Sequence, residues 1–206
     1  MTRSRRLFLV TVVVAVVIAV ALALYSREVQ TPGPRLVDNV TGLVVGPGWG
    51  GDFTLAGPEG RPVSLEQFRG HPVLLYFGYT TCPDVCPTAL GVLKQATKRL
   101  AELKLTAQVL FVTIDPERDT GEALQSYVHF FGPDFIGLTG SPAEIADVAR
   151  RYNVMYAKED KGSAAGYLMA HTDYIYLLGI GGRIRGLYNS ATPAERIVAG
   201  VQAIAR

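Results

Sequence analysis

Cysteine is scarce in this chain of 206 residues: there are two, alongside three histidines and one tryptophan. Neither cysteine lies near the N-terminus, so a lipid tether is excluded there. There is no low-complexity tract and no repeat at a solenoid period, which removes repeat architectures. An excess of positive charge is also missing where it would matter. Of 20 basic residues three fall within the first six, leaving 17 against 18 acidic residues in the remainder. That balance supplies no footprint for nucleic acid.

Charge is absent altogether from Leu7 to Ser26, whose Leu7 to Leu24 core is almost wholly Val, Ala, Leu, Ile and Phe and close to the length of about 20 residues that spans a bilayer. Arg3, Arg5 and Arg6 precede it, so the positive-inside rule keeps the short tail cytoplasmic and exports the chain beyond Ser26. Ala19-Val20-Ala21 and Ala21-Leu22-Ala23 offer sites for a cleaved signal peptide, and Arg5-Arg6 is also compatible with twin-arginine export. The length of the run favours a retained anchor over a signal peptide. The expected organisation is a basic tail over 1–6, a transmembrane anchor over 7–26, a Pro- and Gly-punctuated stalk over 27–47 and one domain over 48–206.

What the chain does have is the placement of its two cysteines. Cys82 and Cys86 stand in Thr81-Cys82-Pro83-Asp84-Val85-Cys86-Pro87, directly after the apolar run Val73 to Phe77. Pro87 disfavours a helical residue before it and suits a helix start, so Cys86 is expected as an N-cap. Free N–H groups and the helix dipole would then lower its thiol pKa and favour metal binding or thiol exchange. A structural disulfide is the alternative, but so small a loop removes little chain entropy.

Periodicity predicts strands at 73–77, 108–114, 136–138, 174–178 and 183–187, and helices at 87–103, 120–131, 142–152 and 193–205. That order implies an α/β sheet covered on both faces, with the cysteines at the end of a central strand, where such sheets place ligands. Lys158 to Ser163 reads as a solvated loop. Asp84 is a candidate for capping the helix turn or tuning the thiols. Asp115, at a strand end, is a candidate for orienting a ligand or for a plain turn carboxylate. His71 and His129 read as edge or packing residues, while residue chemistry alone leaves the role of His171 open.

The element order with its two-cysteine motif resembles the thioredoxin-like superfamily. Four blocks, Gly50 to Leu55, Phe77 to Pro87, Thr113 to Thr120 and His171 before Tyr176-Leu177, resemble the Sco/SenC family of copper-binding proteins from about Trp49 onward. The resemblance implies Cys82, Cys86 and His171 as copper ligands. Soft thiolates suit Cu(I), and an added imidazole extends the set to Cu(II). It further implies a copper chaperone, not primarily an enzyme, in a bacterial inner membrane with its domain in the periplasm. Its partners would be the Cu(A)-bearing subunit of cytochrome c oxidase, other periplasmic copper chaperones and a thiol reductant. A thiol:disulfide oxidoreductase acting on the same subunit and a copper- or redox-responsive signalling protein are the rival readings. The first is disfavoured by three residues between the cysteines and by the lack of proline in Met169-Ala170-His171-Thr172. The family commonly has Asp before its histidine, where this chain has Ala170, and Asp173 is the candidate substitute.

Overall fold

The strand before the cysteines, β3 (Val73–Gly78), is buried at all six positions. A strand apolar on both sides must be covered on both faces. In the computed structural model, which describes residues 48–163, residues 166–205 and Val16, it is the middle strand of a five-stranded sheet. β4 (Gln108–Thr113) pairs with β3 in parallel and β5 (Ile136–Leu138) with β4 in parallel. On the other side β8 (Ile175–Leu178) pairs with β3 antiparallel, followed by β9 (Ile184–Tyr188).

Alternation along β3 separates the two cores. Tyr76 packs with Phe111, and Phe111 with Tyr127 of the helix α2 (Gly121–Phe131). Phe77 instead meets Tyr152 and Tyr176, and Tyr152 also meets Phe53. Tyr152 closes α3 (Pro142–Arg151), whose first turn carries a reciprocal Ser141–Glu144 capping box. α1 (Val85–Glu102) buries Cys86, Ala89, Leu90, Leu93, Ala96 and Leu100, and packs against α2 and α4 (Ala194–Ile204). Lys104, in the left-handed region at φ 58°, ends it, and the Leu105 N–H returns to the Leu100 carbonyl at 2.9 Å.

Two small hairpins were not anticipated. β1 (Thr54–Ala56) with β2 (Pro62–Ser64) is short enough to lack a periodic signal. β6 (Tyr156–Ser163) with β7 (Gly166–His171) is the larger difference, because the segment expected as a solvated loop is a strand. It is half of a two-stranded ribbon, with Lys158 exposed and Glu159 half-buried, where period-2 burial has no second core to report. His171 is consequently the last residue of a strand outside the main sheet.

Two compact units divide the chain at Arg35 and Leu36, and the sheet with its helices belongs to the second. The expected anchor over 7–26 and stalk over 27–47 lie outside the described residues, Val16 apart. Among the described residues no helix is long and apolar enough to cross a membrane.

Candidate metal centre

Helix α1 starts two residues earlier than expected, at Val85, so Cys86 sits inside its first turn and Asp84 holds the N-cap position. Pro87 is tolerated there because first-turn N–H groups have no partner within the helix. The Asp84 side chain makes no capping bond. Its carbonyl accepts from the Thr88 N–H and Oγ1 instead, at 3.2 and 2.9 Å. The cap is a sulfur: the Cys86 N–H points at Cys82 Sγ, 3.4 Å away.

This reverses the expected roles of the two thiols. A hydrogen bond from the Cys86 thiol lowers the Cys82 pKa most, with His171 and the N–H groups of Asp84 and Cys86 adding to it against the opposing effect of burial. Cys86 is pushed up, first by burial and then by the neighbouring Cys82 sulfur. Cys82 is therefore the thiolate and Cys86 the buried thiol in the metal-free state.

His171 arrives from the end of β7. Its Nδ1 lies 3.0 Å from the Thr172 carbonyl, which can only accept, so Nδ1 carries a proton there and Nε2 is the ring nitrogen turned toward the sulfurs. Nε2 lies 3.4 Å from Cys86 Sγ. Tyr76 and Tyr79 meet the imidazole edge-on at centroid distances of 6.2 and 5.9 Å, fixing the ring plane. The ligand atoms of Cys82, Cys86 and His171 lie within 4.8 Å of one another, and no other such group of His, Cys, Asp and Glu occurs among the described residues. Two sulfurs and an imidazole suit copper or zinc. Three donors leave a position open, unlike the four-ligand cage of a structural zinc site.

The candidate carboxylates fall elsewhere. Asp173 accepts from Tyr76 Oη at 3.1 Å and from the N–H and hydroxyl of Ser190, so it reaches His171 only through the Tyr76 ring. Asp115 is buried, accepting from Tyr167 Oη at 2.7 Å and from Arg118 Nε. Ala170 is exposed and pairs with Ala157. His71 and His129 are exposed and outside the cluster, His129 against Gln125.

Two positioning residues lie within the motif blocks without a sequence signal of their own. Asp119, 1% exposed, accepts from the Thr80 N–H at 3.1 Å, the Thr80 hydroxyl at 2.5 Å and the Thr113 hydroxyl at 2.6 Å. It clamps the cysteine loop two residues before Cys82, although burial raises its own pKa against those bonds. Gly78 is the second, because a Cβ there would stand 2.8 Å from Cys86 Sγ. The same 115–119 loop also holds the histidine hairpin. Arg118 donates to the Tyr167 carbonyl at 2.9 Å and stacks on the Tyr167 ring at 3.8 Å, while Glu117 pairs with Lys158 at 2.6 Å. One loop thus fastens both ligand-bearing elements. No periodic signal could have shown it, since its bonds join residues 39 and 49 positions apart.

Comparison with known proteins gives a consistent assignment. The family model described as SCO1/SenC matches residues 46–206. The mitochondrial SCO2 homolog of Bos taurus is 45% identical over 154 residues, 74% of this chain and 58% of that protein. The chain thus spans under two thirds of that relative's length. Arabidopsis thaliana ScoI, solved with copper bound, is 36% identical with a TM-score of 0.71, covering 75% of this chain and 97% of that one. Bradyrhizobium japonicum ScoI, also with copper bound, is 36% identical with a TM-score of 0.65, covering 76% and 99%. The thioredoxin-like architecture is that of these Sco structures.

Proposed function

Since this chain belongs to the SCO1/SenC family, we propose that it carries copper on Cys82, Cys86 and His171 and delivers or prepares it for the Cu(A) centre of cytochrome c oxidase. The observation that supports the reading is the convergence of two sulfurs and the imidazole Nε2 within 4.8 Å, on elements 85 residues apart in sequence. Soft thiolates hold Cu(I), and the imidazole makes the same set competent for Cu(II). Copper is cargo here, and the three-donor set fits that role because an incoming ligand can take the open position. The anchor over 7–26, with the domain on the periplasmic side, completes the proposal.

The reduced full-length chain is expected to bind one copper per chain. Cys82→Ser or Cys86→Ser should abolish tight binding, and stoichiometric copper on the double serine variant would sink the assignment. His171→Ala should remove the Cu(II) thiolate charge-transfer absorption and leave substantial Cu(I) binding.

The buried thiol beside a thiolate also supports the reductase reading, because that is the arrangement of an attacking and a resolving sulfur. Oxidase activity in a strain carrying His171→Ala separates the two. Copper carriage requires the imidazole and predicts rescue by added copper. A reductase tolerates the change and answers to added thiol.

A further inference from the structure

His171 is oriented from two sides, and both sides end on one carboxylate. On the backbone side its Nδ1 donates to the Thr172 carbonyl at 3.0 Å. On the ring side Tyr76, 0% exposed, meets the imidazole edge-on at 6.2 Å with 78° between the planes, a favourable aromatic arrangement. Asp173 follows Thr172 directly and accepts from the Tyr76 hydroxyl at 3.1 Å. Its other oxygen accepts from the Ser190 N–H at 3.1 Å and from the Ser190 hydroxyl at 2.5 Å, which ties it to the turn after β9. The contacts close a ring that runs from the imidazole through Thr172, the Asp173 carboxylate and the Tyr76 phenol back to the imidazole.

The phenol also borders the sulfurs. Tyr76 and Cys86 both wall Gly78, where a Cβ would stand 3.0 Å from Tyr76 Cε1 and 2.8 Å from Cys86 Sγ. A buried hydroxyl needs an acceptor, and Asp173 supplies it. Asp173 therefore decides where the Tyr76 ring sits, and that ring lies against one proposed ligand and beside another.

We propose that Asp173 is a positioning residue of the candidate metal centre, holding the His171 imidazole toward the two sulfurs through Tyr76 and Thr172. This rests on the copper-carrying reading and deepens it by naming what sets the histidine arm. Partners that orient a ligating imidazole govern how well it binds metal. Two thiolates hold Cu(I) without help, whereas Cu(II) draws on the imidazole, so the brace acts chiefly on Cu(II).

Tyr76→Phe keeps the ring and removes only the hydroxyl, and Asp173→Ala removes the acceptor. In the reduced, metal-free, full-length protein with ring-labelled histidine, the His171 signal is assigned by its loss in His171→Ala. Its ring order parameter should match the rigid backbone in the wild type and fall to that of a flexible side chain in both variants. On loading, Cu(II) affinity should weaken roughly tenfold in each variant. Cu(I) affinity should stay within about twofold, since both thiolates remain. Combining the two substitutions should cost no more than either alone, because both open the same contact. Asp173→Asn, which keeps one carbonyl acceptor, should recover part of the loss, and with Tyr76→Phe it carries the test if Asp173→Ala does not fold. A His171 ring that stays rigid in the variants, or Cu(I) and Cu(II) affinities that fall together, overturns the brace. A wild type that binds no copper overturns the copper reading instead, while ring order in the metal-free protein still decides whether Asp173 holds His171.

Discussion

At the scale of single residues, the centre depends on an asymmetry between two cysteines four positions apart. Cys82 accepts hydrogen bonds and is held as a thiolate, whereas Cys86 is buried and keeps its proton. In the reduced metal-free chain at pH 6, a thiolate-directed alkylating agent should label Cys82 and spare Cys86, as read by mass spectrometry of the peptides. Equal labelling would contradict the assignment. Because the Cys82 pKa is depressed on folding, it contributes stability that is complete above the ordinary thiol value of about 8.5 and is lost as pH falls through the folded value. Asp119 gives the second prediction at this scale. Asp119→Ala leaves the Thr80 and Thr113 hydroxyls without their acceptor and should destabilise the fold by about 2 kcal/mol. It should also broaden or weaken the Cu(II) thiolate absorption, whereas Asp119→Asn, which still offers one carbonyl oxygen to Thr80, should recover much of it. Identical spectra in all three proteins would dismiss the clamp.

Secondary structure elements explain why the site holds together before metal arrives. β3 and α1 place the cysteines, and the β6–β7 hairpin places the histidine from outside the main sheet. The joint between them is the 115–119 loop, chiefly Arg118 with Asp115 and Tyr167. Arg118→Ala leaves the buried Asp115 carboxylate without its charge partner and should cost roughly 3 kcal/mol of stability. It should also weaken the histidine-dependent Cu(II) signature more than it weakens Cu(I) binding through the thiolates. Lys158→Ala is the control, since both members of its pair with Glu117 are about half exposed and such a bridge contributes under about 1 kcal/mol. Similar effects from the two variants would show that the hairpin is not held in this way. The strands of the main sheet and the four α-helices among the described residues were legible in the sequence to within two residues at each end, because each carries a buried stripe or an unbroken apolar run. The hairpin was not, because a ribbon with one solvated face and many charges resembles a loop at the level of composition.

For the whole molecule, the proposed topology joins an exported domain to a retained N-terminal anchor. A reporter fused after Arg206 should be active only on the periplasmic side, and the protein should stay with membranes after alkaline carbonate washing. Recovery of a soluble species beginning near Tyr25 would show cleavage after the Ala-x-Ala sequence instead.

The sequence by itself determined the α/β order, the two thiols at the end of a buried central strand, and, through four ordered blocks, the family and the three residues proposed as ligands. Those features are local or are read as ordered motifs. Only the tertiary structure decided which thiol is ionised, because that depends on whose sulfur receives the first-turn N–H and how deeply the other is buried. It likewise decided that Asp119 and Arg118 hold the ligand-bearing segments, that Asp115 joins them through Arg118 and Tyr167, and that Asp173 turns to Tyr76 and Ser190. Hydrogen bonds between residues tens of positions apart leave no periodicity in the chain. They exist only once the sheet has brought the loops at the ends of its strands to one edge.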